Sequence, residues 1–145
     1  LREQHITTLI FDLDNTLVCE TASVPTEEVR TFLDKLDYAG FKVGIVSNNR
    51  KERVETFMRS LNVPYFYQAK KPSPDKVLEM MDVLHAKKEE TAMIGDRLTT
   101  DVLVGKRAGV YTVLVKPIGK DLEFRVKCVR LVEKIWIKWN QKKKQ

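Results

Sequence analysis

Apolar and polar positions follow two rhythms along this chain. Short runs of consecutive apolar residues alternate with longer stretches in which apolar residues recur every three or four positions. The first rhythm marks Ile6–Phe11 (ITTLIF), Phe41–Val46 (FKVGIV), Thr91–Ile94 and Val110–Val115 (VYTVLV), and predicts buried strands there. Pro64–Tyr67 predicts a shorter, weaker strand. The second rhythm predicts helices over Thr26–Tyr38, Arg50–Ser60, Ser73–His85 and Thr99–Ala108, and a last one over roughly Leu122–Asn140. The punctuation agrees. Thr26 can cap the first helix, Glu27 and Glu28 favour its first turn, and Gly40 suits its exit. Ser73 is expected to cap the third helix with Pro74 at its first position, and Gly109 to close the fourth.

Strands separated by helices pair in parallel through right-handed crossovers. The expected fold is therefore α/β and doubly wound, a Rossmann-like arrangement around a five-stranded parallel sheet. The 145 residues suit one domain: a core over 1–120, with 121–145 as a basic amphipathic helix and tail of the same domain. No apolar run approaches the length of a membrane span, and the start LREQHITT has no signal-peptide pattern. The sequence does not open on Met, which leaves open what precedes Leu1. Cys19 and Cys128 have no metal-ligand spacing, and a reduced cytoplasmic setting fits them.

Such sheets bind ligands beyond the carboxyl ends of their strands, where the strand order reverses. A polar group follows each of the first four strands. These groups are Asp12-Leu13-Asp14-Asn15-Thr16, Ser47-Asn48-Asn49, Lys70-Lys71-Pro72, and Gly95-Asp96 with Asp101 five residues further on. A parallel sheet brings these ends to one edge. Two carboxylates one residue apart, at Asp12 and Asp14, repel each other and resist burial unless a cation sits near or one does chemistry. Carboxylates, a hydroxyl and a lysine converging there would suit a hard cation and an anion together, with Mg²⁺ the expected ion.

These residues carry a resemblance. DLDNT, Ser47, Lys71 and GDRLTTD resemble, in order and spacing, the four motifs of the haloacid-dehalogenase-superfamily phosphatases. The resemblance implies that Asp12 attacks phosphorus and forms an aspartyl-phosphate. It implies that Asp14 protonates the leaving oxygen and then deprotonates the hydrolytic water. Mg²⁺ would be held by Asp12 and Asp96 and by the backbone carbonyl of Asp14. Thr16, Ser47 and Asn48 would face the substrate, Lys71 would neutralise developing charge, and Asp101 would orient Lys71 or a metal-bound water. Asn48 and Asn49 also read as caps of the helix that follows.

Only about 25 residues separate Thr16 from the second strand, and Asn49 to Lys71 leaves room for one helix and a short strand. The site is thus expected to lack a large lid, which admits a bulky substrate. The block GDRLTTDVLVGKRAGVYTVLVKPI, with SNN and KKP, is similar to the capless phosphatidylglycerophosphate phosphatase subfamily. That resemblance implies hydrolysis of phosphatidylglycerophosphate to phosphatidylglycerol. It also implies a cation for the substrate's second phosphate, for which Arg97 is the first candidate, followed by Arg50, Lys70 and Lys106.

Charge sharpens the expectation. Residues 116–145 hold ten Lys/Arg against three Asp/Glu, while the rest is nearly balanced at 16 against 17. Lys127, Arg130, Lys134 and Lys138 fall on one helical face, and Val129, Val132, Trp136 and Trp139 on another. A phospholipid headgroup at an anionic membrane surface is the expected partner, with the protein peripheral at the inner face. Equally, the apolar face could pack on the protein's own sheet. Nucleic acid is not expected, because no groove-reading motif or aromatic platform accompanies the basic residues. Two other readings stay open: a phosphatase for a soluble sugar phosphate, nucleotide or phosphoprotein, and a non-catalytic phosphate-binding module.

Overall fold

The computed structural model describes residues 5–118. The expected helix over 122–140, and with it the question of what its apolar face meets, lies outside the described residues.

Five parallel strands form one sheet: β1 (Thr8–Phe11), β2 (Lys42–Val46), β3 (Tyr65–Phe66), β4 (Thr91–Gly95) and β5 (Tyr111–Leu114), in the order β3-β2-β1-β4-β5. The helices are α1 (Glu27–Tyr38), α2 (Lys51–Met58), α3 (Asp75–Val83) and α4 (Leu103–Ala108). β1 is buried along its whole length. Its side chains alternate between two apolar layers. Leu9 and Phe11 join Val29, Phe32, Leu33 and Leu36 of α1 and Val54, Phe57 and Met58 of α2. Ile10 enters the opposite layer with Val77, Met80 and Met81 of α3 and Val104 and Ala108 of α4. Truncating any of these β1 side chains to alanine would cost about 2–5 kcal/mol. That burial fixes β1 in register beside Lys42–Ile45 on one side and Thr91–Ile94 on the other.

The strand order reverses at β1, so the carboxyl ends of β1 and β4 border the switch point. One helix lies between β1 and β2 and one between β2 and β3, with no inserted domain in either crossover. Among the described residues, no large cap covers the rim of the sheet.

Several local expectations change. The Thr26 hydroxyl accepts from Val29 N as a cap should. The Ser73 hydroxyl instead bonds the Asp75 carboxylate, and Pro74 occupies the cap position itself. The expected helix over Thr99–Ala108 opens with a wider, π-helical turn at Leu98–Val102 before α4 proper. Asp101 N and Val102 N both bond Arg97 O, and the Asp101 carboxylate accepts from Arg97 N. That widened turn faces Asp101 inward, against Gly95. A Cβ at Gly95 would lie 2.2 Å from Asp101 Cγ, so glycine is required at the end of β4.

Candidate active site

The chain leaves β1 into a tight loop. Thr16 N and Leu17 N bond Leu13 O, Asn15 N bonds Val18 O, and Asn15 takes a left-handed φ of 61°. This loop holds Asp12 at the sheet edge while its own apolar residues, Leu13, Leu17 and Val18, go to the core. Ile118 N bonds Asn15 O and ties the segment after β5 to the same loop.

Lys71 is the hub of the site. Its ammonium is almost wholly buried and donates to Asp12 Oδ1 at 2.9 Å and to Asp101 Oδ1 at 2.7 Å. Burying an ammonium is costly, and the two carboxylates offset that cost. The backbone delivers it by an unusual route, with left-handed Gln68 and Lys70 preceding a cis Lys71-Pro72 bond. Asn48 pins this loop. Its Nδ2 donates to Lys71 O at 3.0 Å and its Oδ1 accepts from Lys71 N at 2.7 Å.

Thr16 is buried, and its hydroxyl lies 3.4 Å from Asp12 Oδ2 and 3.2 Å from Asp96 Oδ1. Sequence reasoning aimed Thr16 and Asn48 at the substrate. The structure aims Thr16 at two carboxylates and Asn48 at the Lys71 backbone. The buried Ser47 accepts from Asn49 N through its hydroxyl oxygen at 3.1 Å. The Arg97 side chain is exposed, and its bond to Asp101 comes from its backbone N–H.

Carboxylate oxygens of Asp12, Asp96 and Asp101 lie within 4.8 Å of one another. Burial pushes the Asp12 carboxyl up to about 6; Lys71 opposes the rise, while Asp101 and Asp96 add to it. An all-oxygen set of three carboxylates, in which burial works against the charge on Asp12, fits a hard divalent cation such as Mg²⁺. The set differs from expectation in one member, since Asp101 joins the cluster by its side chain. Asp14 stands outside that cluster. Its Oδ1 accepts from Arg53 Nη2 and its Oδ2 from Asn49 Nδ2, both at 2.8 Å. Sequence reasoning did not single out Arg53. It stands in the first turn of α2, close after the Ser47-Asn48-Asn49 group.

Residues 19–115 match the family model described as haloacid dehalogenase-like hydrolase. The chain is 37% identical over 134 residues to a Bacillus subtilis (strain 168) protein named probable phosphatase YqeG, covering 92% of this chain and 78% of that one. It is 32% identical over 99 residues to the phosphoglycolate phosphatase of Aquifex aeolicus, covering 62% of this chain but only 46% of the relative. The fold matches the cobalt-bound deoxy-D-mannose-octulosonate 8-phosphate phosphatase of Haemophilus influenzae, with a TM-score of 0.69 at 16% identity over 96% of this chain and 89% of that one. It also matches a subfamily III A hydrolase of Legionella pneumophila, with a TM-score of 0.68 at 21% identity over 96% and 86%. The chain belongs to the haloacid dehalogenase-like hydrolases.

Proposed function

We propose that this chain is a Mg²⁺-dependent phosphomonoester hydrolase that works in two steps through a phosphoaspartate on Asp12. The observation that carries the reading is Lys71 Nζ held between Asp12 Oδ1 and Asp101 Oδ1 at a rim where three carboxylates meet. In the first step a carboxylate oxygen of Asp12 attacks phosphorus and the ester P–O bond breaks. Asp14 gives a proton to the departing oxygen. In the second step Asp14 takes a proton from a water as that water attacks phosphorus, and the bond to Asp12 breaks. Lys71 and the Ser47 hydroxyl oppose the charge on the phosphoryl oxygens, and Thr16 keeps the Asp12 and Asp96 carboxylates aligned. Asp101 holds Lys71 in place. The cation would be held by the carboxylates of Asp12 and Asp96 with the Asp14 carbonyl, beside Asp101. When bound it reduces the repulsion between the nucleophile and an anionic phosphate.

The proposed substrate is the terminal phosphomonoester of phosphatidylglycerophosphate, met at an anionic membrane surface. Three features support it: the uncapped rim, the similarity of residues 95–118 to that subfamily, and the basic excess over 116–145. A second reading, a soluble phosphomonoester, is favoured by relatives whose names are phosphoglycolate phosphatase and pyrophosphatase PpaX. This chain spans less than half the length of those two relatives.

The test is phosphate release from phosphatidylglycerophosphate in mixed micelles and from soluble monoesters, with and without Mg²⁺, for the wild type and Asp12→Asn. The proposal expects Mg²⁺-dependent release that prefers the lipid and vanishes in Asp12→Asn. Release from soluble esters alone would move the substrate to the second reading. Release unaffected by Asp12→Asn would reject the mechanism.

A further inference from the structure

Asp14 is proposed to transfer protons, and each of its oxygens already accepts a hydrogen bond. Asn49 and Arg53 each donate to one of them at 2.8 Å. Each oxygen keeps a second lone pair, but while both bonds stand they fix the direction in which the carboxylate faces, and turning it onto a leaving group strains one of them. Drawing one donor away relieves that strain.

Arg53 is the donor built to be drawn. A guanidinium has five N–H groups, and the bond to Asp14 comes from Nη2 alone. Its Nε is buried and has no hydrogen-bond partner among the described residues. The Arg53 side chain keeps 17% exposure at the rim. Its Cζ lies 5.5 Å from the centre of the Phe57 ring, which positions the guanidinium plane without using a donor. A single-point bond to Asp14 leaves the fork largely unspent, whereas a phosphate or carboxylate can take two parallel bonds.

We propose that Arg53 reads an anionic group on the substrate other than the phosphate being cleaved, and that moving onto this group releases Asp14. Asn49 still holds one Asp14 oxygen, and the other turns toward the leaving oxygen. The favoured substrates are therefore phosphomonoesters carrying a second phosphate or carboxylate, whether a lipid headgroup with a phosphodiester or a small bisphosphate. This rests on the proposed function, because Asp14 must serve the leaving oxygen. It also moves recognition of the second anion from Arg97, whose side chain is exposed, to a residue bonded to the acid–base group.

The experiment compares kcat and KM for matched pairs of substrates with the wild type, Arg53→Gln and Arg53→Lys. One pair is a hexose bisphosphate and the monophosphate that lacks its second phosphate. The other is phosphatidylglycerophosphate and phosphatidic acid in mixed micelles, so that the two pairs separate a soluble from a lipid source. The wild type should prefer the member with the second anion in at least one pair. Arg53→Gln should shrink the kcat/KM advantage of that member about tenfold, a difference of about 1.4 kcal/mol, through a raised KM for that member and a raised kcat for its partner, whose Asp14 is no longer held by Arg53. Arg53→Lys keeps the charge without the fork and should restore part of the preference, which also covers misfolding of the Gln variant. Equal losses on both members would reduce Arg53 to a holder of Asp14 and overturn the proposal, as would no loss on either. No turnover of any ester with Mg²⁺ would reject the phosphatase reading itself, and this inference with it.

Discussion

Ionised Asp12 is costly where it stands. Burial raises its carboxyl from an ordinary 3.8 to about 6, with Lys71 opposing and Asp101 and Asp96 adding. That rise amounts to about 3 kcal/mol against the charged form. The folded protein holds this proton more tightly than the unfolded chain, so folding stability falls as pH rises from about 4 through about 6 and stays lower above that. Asp12→Asn removes the charge and should stabilise the metal-free protein at pH 7 by up to about 3 kcal/mol. The gain should fade below about pH 4, where Asp12 is protonated in both states. Urea unfolding in chelator at the two pH values checks this, and a variant that is less stable at pH 7 would contradict it. The same substitution should abolish turnover, because an amide is no nucleophile. A residue whose removal helps folding and ends function is retained for its chemistry.

At the scale of elements, the parallel sheet does most of the assembly. Asp12, Ser47, Lys71 and Asp96 each follow a strand, and the order β3-β2-β1-β4-β5 brings them to one edge. That much was legible from apolar runs followed by polar groups. The aim of each side chain was less so. Asn48 stands one residue after Ser47 and was expected at the substrate, but it bonds a loop 23 residues away. No local pattern records where that loop passes. The widened turn at Leu98–Val102 has the same origin, since it answers to Asp101 and Gly95 meeting across a loop. Arg53 lies in the first turn of α2, and no residue pattern marks that its side chain reaches Asp14. The structure gives Asn48 an expected effect. Asn48→Ala removes both bonds to Lys71 and should lower kcat about tenfold or more while costing only about 1–2 kcal/mol of stability. Paired kinetics and thermal unfolding check it. An unchanged kcat with a raised KM would return Asn48 to substrate binding.

For the whole molecule, the proposed nucleophile, cation site and acid–base residue lie at one edge of the sheet, where the described residues place no large cap. Among the described residues no helix is long and apolar enough to cross a membrane. The basic residues over 116–145 are charge that an anionic bilayer surface would attract. The chemistry proposed at Asp12 is the formation and hydrolysis of a phosphoaspartate. That chemistry is tested most directly by rapid acid quench of the enzyme during Mg²⁺-dependent turnover, followed by mass spectrometry of its peptides. The account predicts one added phosphoryl group on the peptide containing Asp12, lost on treatment with hydroxylamine and absent from Asp12→Asn. Phosphate release at full rate with no labelled peptide, or with the label on another residue, would contradict it.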